Sequence, residues 1–214
     1  MRTALTLTLA CAVTAGAATA AAATAAAATA GAATAAATPA AAAKCSPLAA
    51  VLKAAPKFAD YEAHAFAGPH VAPRVHASRE AWQYRTNLRD AAKAGPNFAG
   101  RYTLAGWGCG TGCLDWGVVD QANGKVTFDG RIRTIENLTD VWPINDPVTG
   151  HYAALGANAA DFDTLLFRKD SDLLVMLGAP GGDEAQSGIH WLRWTGARFE
   201  SLRFVAAGAI CRKD

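Results

Sequence analysis

FAGRYTLAGWGCGTGCLDWGVVDQANGKVTF, residues 98–128, is the stretch on which the fold turns. Phe98 to Trp107 is rich in β-forming side chains, and Trp116-Gly117-Val118-Val119-Asp120 has the same character. Gln121-Ala122-Asn123-Gly124 then supplies an Asn-Gly turn before Lys125-Val126-Thr127-Phe128, a strong short-range signal for a hairpin. Between the first two strands lies Trp107-Gly108-Cys109-Gly110-Thr111-Gly112-Cys113, with two cysteines four positions apart. The glycines at 108, 110 and 112 permit the positive φ values that a small closed ring needs.

The same grammar continues toward the C-terminus. Asp163–Phe167 and Leu173–Leu177 flank the turn Lys169-Asp170-Ser171-Asp172, and Ile189–Trp194 and Phe199–Val205 flank Thr195-Gly196-Ala197. His190, Leu192 and Trp194 alternate with Trp191 and Arg193, which predicts a strand covered in part on both faces. Three hairpins in series predict a mainly β (α+β) fold, an antiparallel meander of about six to eight strands. Leu166–Val175 resembles the paired inner strands of a propeller blade, although the chain has room for two blades at most.

Upstream, the strand signals give way to helical ones. Ser46 to about Tyr61 reads as a short helical lead interrupted by Pro56, and 68–74, with Pro69 and Pro73, reads as loop. Ser78 is a good N-cap, Glu80 suits the first turn, and Gly95-Pro96 is a stop signal. A helix is therefore predicted over 79–94, with Ala81, Trp82, Arg85, Leu88 and Ala92 near the face that covers the sheet.

The N-terminus reads as an export signal. Met1-Arg2-Thr3 is a short basic start, and Leu5, Leu7, Leu9 and Val13 stand in an uncharged run to about Gly16, so 1–20 is assigned as signal peptide. Ala18-Thr19-Ala20 is one of several cleavage candidates. Cys11 lacks a lipobox, since Thr8 stands where leucine is wanted, and it leaves with the signal. Residues 21–43 are Ala/Thr repeats that can bury almost no large side chain and are expected to be a tether. They insert poorly into lipid, so no integral span is expected after cleavage. The single domain then runs 45–214, in the periplasm or outside the cell.

Without Arg2 and Lys44 the domain carries 18 basic and 18 acidic residues. That balance argues against a nucleic-acid partner, whose phosphates demand a basic excess. Four cysteines remain, Cys45, Cys109, Cys113 and Cys211, compatible with three disulfide connectivities. Local spacing favours Cys109–Cys113, which leaves Cys45–Cys211 to join the domain's ends. By chain entropy the long bridge is worth roughly 4–5 kcal/mol.

Asn97-Phe98-Ala99-Gly100-Arg101-Tyr102, the Trp107–Cys113 loop, Val119-Asp120 and Gly124-Lys125-Val126 resemble a small group of exported bacterial proteins. Phe167–Leu174 and Gly188–Trp194 fit the same group, so the resemblance spans most of 78–204. It implies export and a shared fold, and it brings no activity and no catalytic residue with it.

Several constellations invite a chemical reading. Catalytic dithiols favour a two-residue spacing at a helix N-terminus, whereas Cys109 and Cys113 have three residues between them and lie between strands, as suits a structural bridge. His64, His70 and His76 are spaced by six in a Pro-containing loop, a metal-binding alternative to solvated loop residues. His190 with Asp115 or Asp120 would make a hydrolase pair. Asp161, Asp163, Asp170 and Asp172 cluster about one hairpin and could hold Ca²⁺, yet lack the glycine and terminal glutamate of an EF-hand loop. No nucleophile elbow, phosphate loop or His-Glu-x-x-His motif is present. No cofactor or metal is implied.

Two segments suggest an interaction surface: the Cys ring with Trp107, Thr111, Asp115 and Trp116, and the acidic loop 179–188 with Asp183 and Glu184. Tryptophan is enriched in binding hot spots, but both indoles could equally pack into the core. The expected function is an exported, non-enzymatic binding module for another envelope or extracellular protein, for instance an inhibitor or immunity protein against a cell-wall-active enzyme. A thiol oxidoreductase or hydrolase, and a periplasmic metal binder, are the alternatives.

Overall fold

The computed structural model describes residues 45–136, 141–159 and 164–211; the expected signal, the tether and the pair Asp161/Asp163 lie outside these residues. Six strands of three residues or more carry the fold: β1 (Tyr102–Gly110), β2 (Cys113–Asp120), β6 (Leu165–Phe167), β7 (Leu173–Pro180), β8 (Gly188–Trp194) and β9 (Phe199–Ala206). Three two-residue strands complete it: β3 (Val126–Thr127), β4 (Ile135–Glu136) and β5 (Asn158–Ala159). All pairings between these strands are antiparallel.

β1 and β2 form one hairpin, in register from Tyr102↔Asp120 to Gly108↔Leu114. The free edge of β2 takes β3 at Val118 and Val119, and β4 at Cys113 and Leu114. β4 also joins the end of β7, with Ile135 opposite Pro180 and Glu136 opposite Ala179. β5 to β9 follow as a consecutive meander. One two-residue strand thus connects a front hairpin and a back meander into a single curled sheet.

Strand periodicity distributes the core. Tyr102 and Leu104 of β1, with Leu114, Trp116 and Val118 of β2, point into the curl and meet Leu174, Met176, Leu192, Trp194 and Phe199 from the back. Ala105, Trp107 and Val119 face outward beneath the helices α2 (Arg79–Gln83) and α3 (Arg85–Lys93), against Leu88 and Ala92. On the opposite side Leu173, Val175, Leu177, Ile189 and Trp191 are covered by α1 (Leu48–Lys53) and α4 (Trp142–Ala153). Both faces of β7 are therefore dry, which is why 173–177 reads as an unbroken apolar run.

Three expectations need correction. The helix predicted over 79–94 is two helices that change direction at Tyr84 (φ −99°, ψ 19°). Its ends are as read, with Ser78 Oγ accepting from Ala81 N at 3.0 Å and Gly95 turning out at φ 82°. The break takes Trp82 off the covering face: Trp82 is exposed, with the Arg85 guanidinium 4.5 Å from its ring centre. Second, helices cover two outer faces of the sheet rather than one. Third, α4 follows β4 within the region read as a series of hairpins, where no helix is predicted, despite Pro143, Pro147 and Gly150. Pro143 falls in the first turn, where a missing N–H costs nothing. Ile144, Val148 and Tyr152, spaced by four, are buried together, and Tyr152 Oη accepts from Trp191 Nε1 at 2.5 Å. Burial of that stripe outweighs the weak propensity.

Cys45–Cys211 and Cys109–Cys113 are both disulfide-bonded. Beside the first, Ser46 pairs in parallel with Ile210, so the two ends of the described domain are adjacent.

Candidate functional site

The Cys ring caps the β1–β2 hairpin, where the ladder slips between Gly108 and Gly110 and Gly110 opposes Cys113. Gly110 and Gly112 take positive φ (156° and 68°), whereas Gly108 does not. Residues 108–112 are exposed, and a Cβ built on Gly108 would have no atom within 4 Å. The ring thus stands exposed at the hairpin's end, with only its last residue, Cys113, half-buried where β2 begins.

Its tryptophans do not share that exposure. Trp107 (8% exposed) stacks on Tyr84 with ring centres 4.4 Å apart. Trp116 (4%) fills the curl opposite Gly106, where a Cβ would stand 2.6 Å from its ring. Trp107 and Trp116 are one register step apart on opposite faces, and both faces are covered, so both indoles take the core position. Of the two readings weighed for these tryptophans, packing into the core is the one observed, which leaves a ring of small residues around Thr111 exposed.

Asp115 is also not a surface group. It lies opposite Trp107 in the ladder, buried, and pairs with Arg133 Nη2 at 3.1 Å. It accepts from Thr134 N at 2.7 Å and Thr134 Oγ1 at 3.1 Å. Thr134 has φ 49°, a left-handed conformation that a β-branched residue disfavours, and the carboxylate stabilises that bend. Arg133 also pairs with Glu80 of α2, and its guanidinium lies 5.1 Å from the Phe128 ring centre. Burial pushes the Asp115 carboxyl upward, but Arg133 and Thr134 outweigh it and hold it below the usual range.

The acidic loop lies across β4 from the ring. Asp183 accepts from Ala185 N at 3.0 Å and caps a single 3₁₀ turn, Glu184–Gln186, with Asp183 and Glu184 exposed. Gly181 N donates to Arg133 O at 3.2 Å, and Gly182 lies over the Glu136 carboxylate, 2.9 Å from the place a Cβ would occupy. Glu136 pairs with Cys113 on one side and Ala179 on the other. Sequence reasoning missed Glu136 as the link between the two segments, because a two-residue strand shows no alternation.

Among the described residues, the His190–carboxylate pair and the candidate metal clusters are not brought together. His190 is buried, with Nε2 2.7 Å from Gln186 O and its ring stacked on Phe204 at 4.4 Å. Burial lowers its pKa, opposed in part by the backbone of Gln186 and Gly178. Asp115 is taken by Arg133 and Thr134, while Asp120 pairs with Arg101 at 3.1 Å and accepts from Ala122 N and Asn123 Nδ2. Neither Asp115 nor Asp120 therefore orients His190. His64, His70 and His76 are exposed, and His76 leans on Trp82 at 4.6 Å. Asp170 and Asp172 pair with Arg168 and Arg193. No group of three or more His, Cys, Asp or Glu side chains suited to a metal ion occurs among the described residues.

Fold and site together define a disulfide-bonded, mainly β domain that presents a covalently closed loop beside an acidic one. No helix among the described residues is long and apolar enough to cross a membrane. Compared with family models, curated proteins and solved structures, the chain gives no match to any of the three.

Proposed function

We propose that this chain is an exported, non-enzymatic binding module that presents the 108–112 ring, with the Asp183–Glu184 loop, to a protein of the envelope or the extracellular space. An inhibitor or immunity role is its most concrete form. The observation that carries this reading is the exposure of residues 108–112 within a covalently closed ring. A disulfide over so short a loop is worth only about 2 kcal/mol by chain entropy. What the bridge does supply is a loop already ordered before contact, and ordering in advance removes an entropic cost of association. The export signal, the two disulfides and the resemblance to small exported bacterial proteins support the compartment.

Photo-crosslinking in the native host tests it, with the reactive residue at Thr111, at Glu184, and at exposed Lys57 as control. Thr111 and Glu184 are expected to give a shared adduct of defined mass that Lys57 does not, and the double variant Cys109→Ser/Cys113→Ser is expected to lose it while staying folded. No adduct at Thr111, or the same adducts from Lys57, would overturn the proposal.

A further inference from the structure

A second polar feature lies where the start of β1, the turn before β7 and the end of β8 meet, and the proposed function makes no use of it. It is a cleft of about 360 Å³ whose lining includes Glu62, Arg101, Tyr102, Asp172, Arg193 and Trp194, within the roughly 300–1,000 Å³ range of small-molecule sites. Three sequence stretches singled out above, 97–102, 167–174 and 188–194, converge on it.

Its polar atoms are only partly used by the protein: Arg101 Nη2 pairs with Asp120 at 3.1 Å and donates to Tyr102 Oη at 2.9 Å, while other atoms are left without partners. Among the described residues, Arg101 Nε, Asp172 Oδ1 and Trp194 Nε1 are buried without a hydrogen-bond partner. A buried polar atom left unpaired destabilises the fold, and three such atoms on residues lining one cleft form a concentration that folding alone does not reward. Ala99, also in the lining, is held at φ 44°, and backbone strain of this kind clusters at ligand sites.

The pairing pattern narrows the ligand. Arg193 Nε donates to Asp172 Oδ2 at 3.2 Å, its one hydrogen bond from the side chain among the described residues. The terminal nitrogens of Arg193 and Oδ1 of Asp172 remain, a donor edge beside an acceptor. Arg101 and Arg193 face Glu62 and Asp172 in a lining that also holds His64, and Arg101 is further neutralised by Asp120; the arginine and carboxylate charges thus leave no cationic excess to hold a bare anion, and the arginines oppose a metal ion. Tyr102 and Trp194 are buried in the core, which leaves neither as a stacking platform for a sugar ring.

We infer that the cleft binds a small zwitterion of the α-amino-acid type, with its carboxylate on Arg193 and Arg101 and its ammonium on Asp172 and Glu62. The Arg193–Asp172 ion pair presents opposite charges side by side, as such a ligand presents its own, so the two dipoles meet head to tail. Guanidinium recognition of carboxylate is among the stronger hydrogen-bonded pairings available to proteins.

Calorimetric titration of the exported chain, both disulfides intact, tests this with a panel of free α-amino acids of both hands. Propionate, ethylamine and N-acetyl-alanine methylamide serve as analogues with one charge or none. At least one zwitterion is expected to saturate the site, with each analogue of it tenfold weaker or worse. Arg193→Gln and Asp172→Asn are each expected to weaken binding at least tenfold with the melting midpoint unchanged; Arg193, half exposed, keeps the test intact if Asp172→Asn misfolds. The proposal falls if no amino acid binds by about 10 mM, the weak end of what such a titration reads, if an uncharged analogue binds equally, or if Arg193→Gln binds as wild type. Cross-linking at Thr111 is independent of both variants, so the two proposals fail separately.

Discussion

Asp115 shows how a residue's role depends on the face it occupies. In the sequence it stands next to a glycine-rich loop and reads as a surface contact; in the fold it is the buried partner of Arg133 and the anchor of the Thr134 bend. Asp115→Ala is expected to cost about 3 kcal/mol in urea unfolding, at the low end for a broken buried pair because Glu80 keeps Arg133 paired. Glu80→Ala, at the exposed end of the same network, is expected to cost under about 1 kcal/mol. His190 gives a pH signature. Its folded pKa lies below the ordinary 6.5, so the unfolded chain binds more protons just under that value. Its contribution is complete above about pH 6.5 and is lost as pH falls toward the folded pKa. Urea midpoints of the wild type are expected to decline from pH 7.5 to 5.5, and those of His190→Gln to decline less.

At the level of elements, hairpins were legible wherever turn chemistry and alternation agreed, as at Asn123-Gly124 and Thr195-Gly196-Ala197. α4 was not, because Pro143, Pro147 and Gly150 hide a stripe whose only signal is the spacing of Ile144, Val148 and Tyr152. β4 was not either, being two residues held by long-range partners. Its dependence on Gly178 is testable. Gly178 sits at φ 137°, and a Cβ there would stand 2.6 Å from Glu136 O. Gly178→Ala is expected to cost about 2–3 kcal/mol through strain and lost pairing. Gly108→Ala, with open space around it, is expected to stay within about 0.5 kcal/mol. A thermal-melt comparison of the two separates a structural glycine from a permissive one. Of the candidate site, the Cys ring was visible in spacing alone. The Arg101–Asp172–Arg193 cleft was not, since its members lie 21 or more residues apart and meet only in the fold.

For the whole molecule, the long bridge is the dominant covalent constraint. Cys45 and Cys211 are 166 positions apart, and replacing both with serine is expected to lower stability by about 4–5 kcal/mol, against about 2 kcal/mol for the ring pair. Denaturant midpoints of the two double variants, compared with wild type, check that order.

The same bridge also records passage through the whole span it closes. Cys45 is made 166 positions before Cys211, so a chain that stops between them keeps an unpaired thiol and lacks the strand-like partner of Ser46. Such fragments are marked chemically from finished molecules, and a quality-control machinery that samples free thiols could sort one from the other without inspecting the fold.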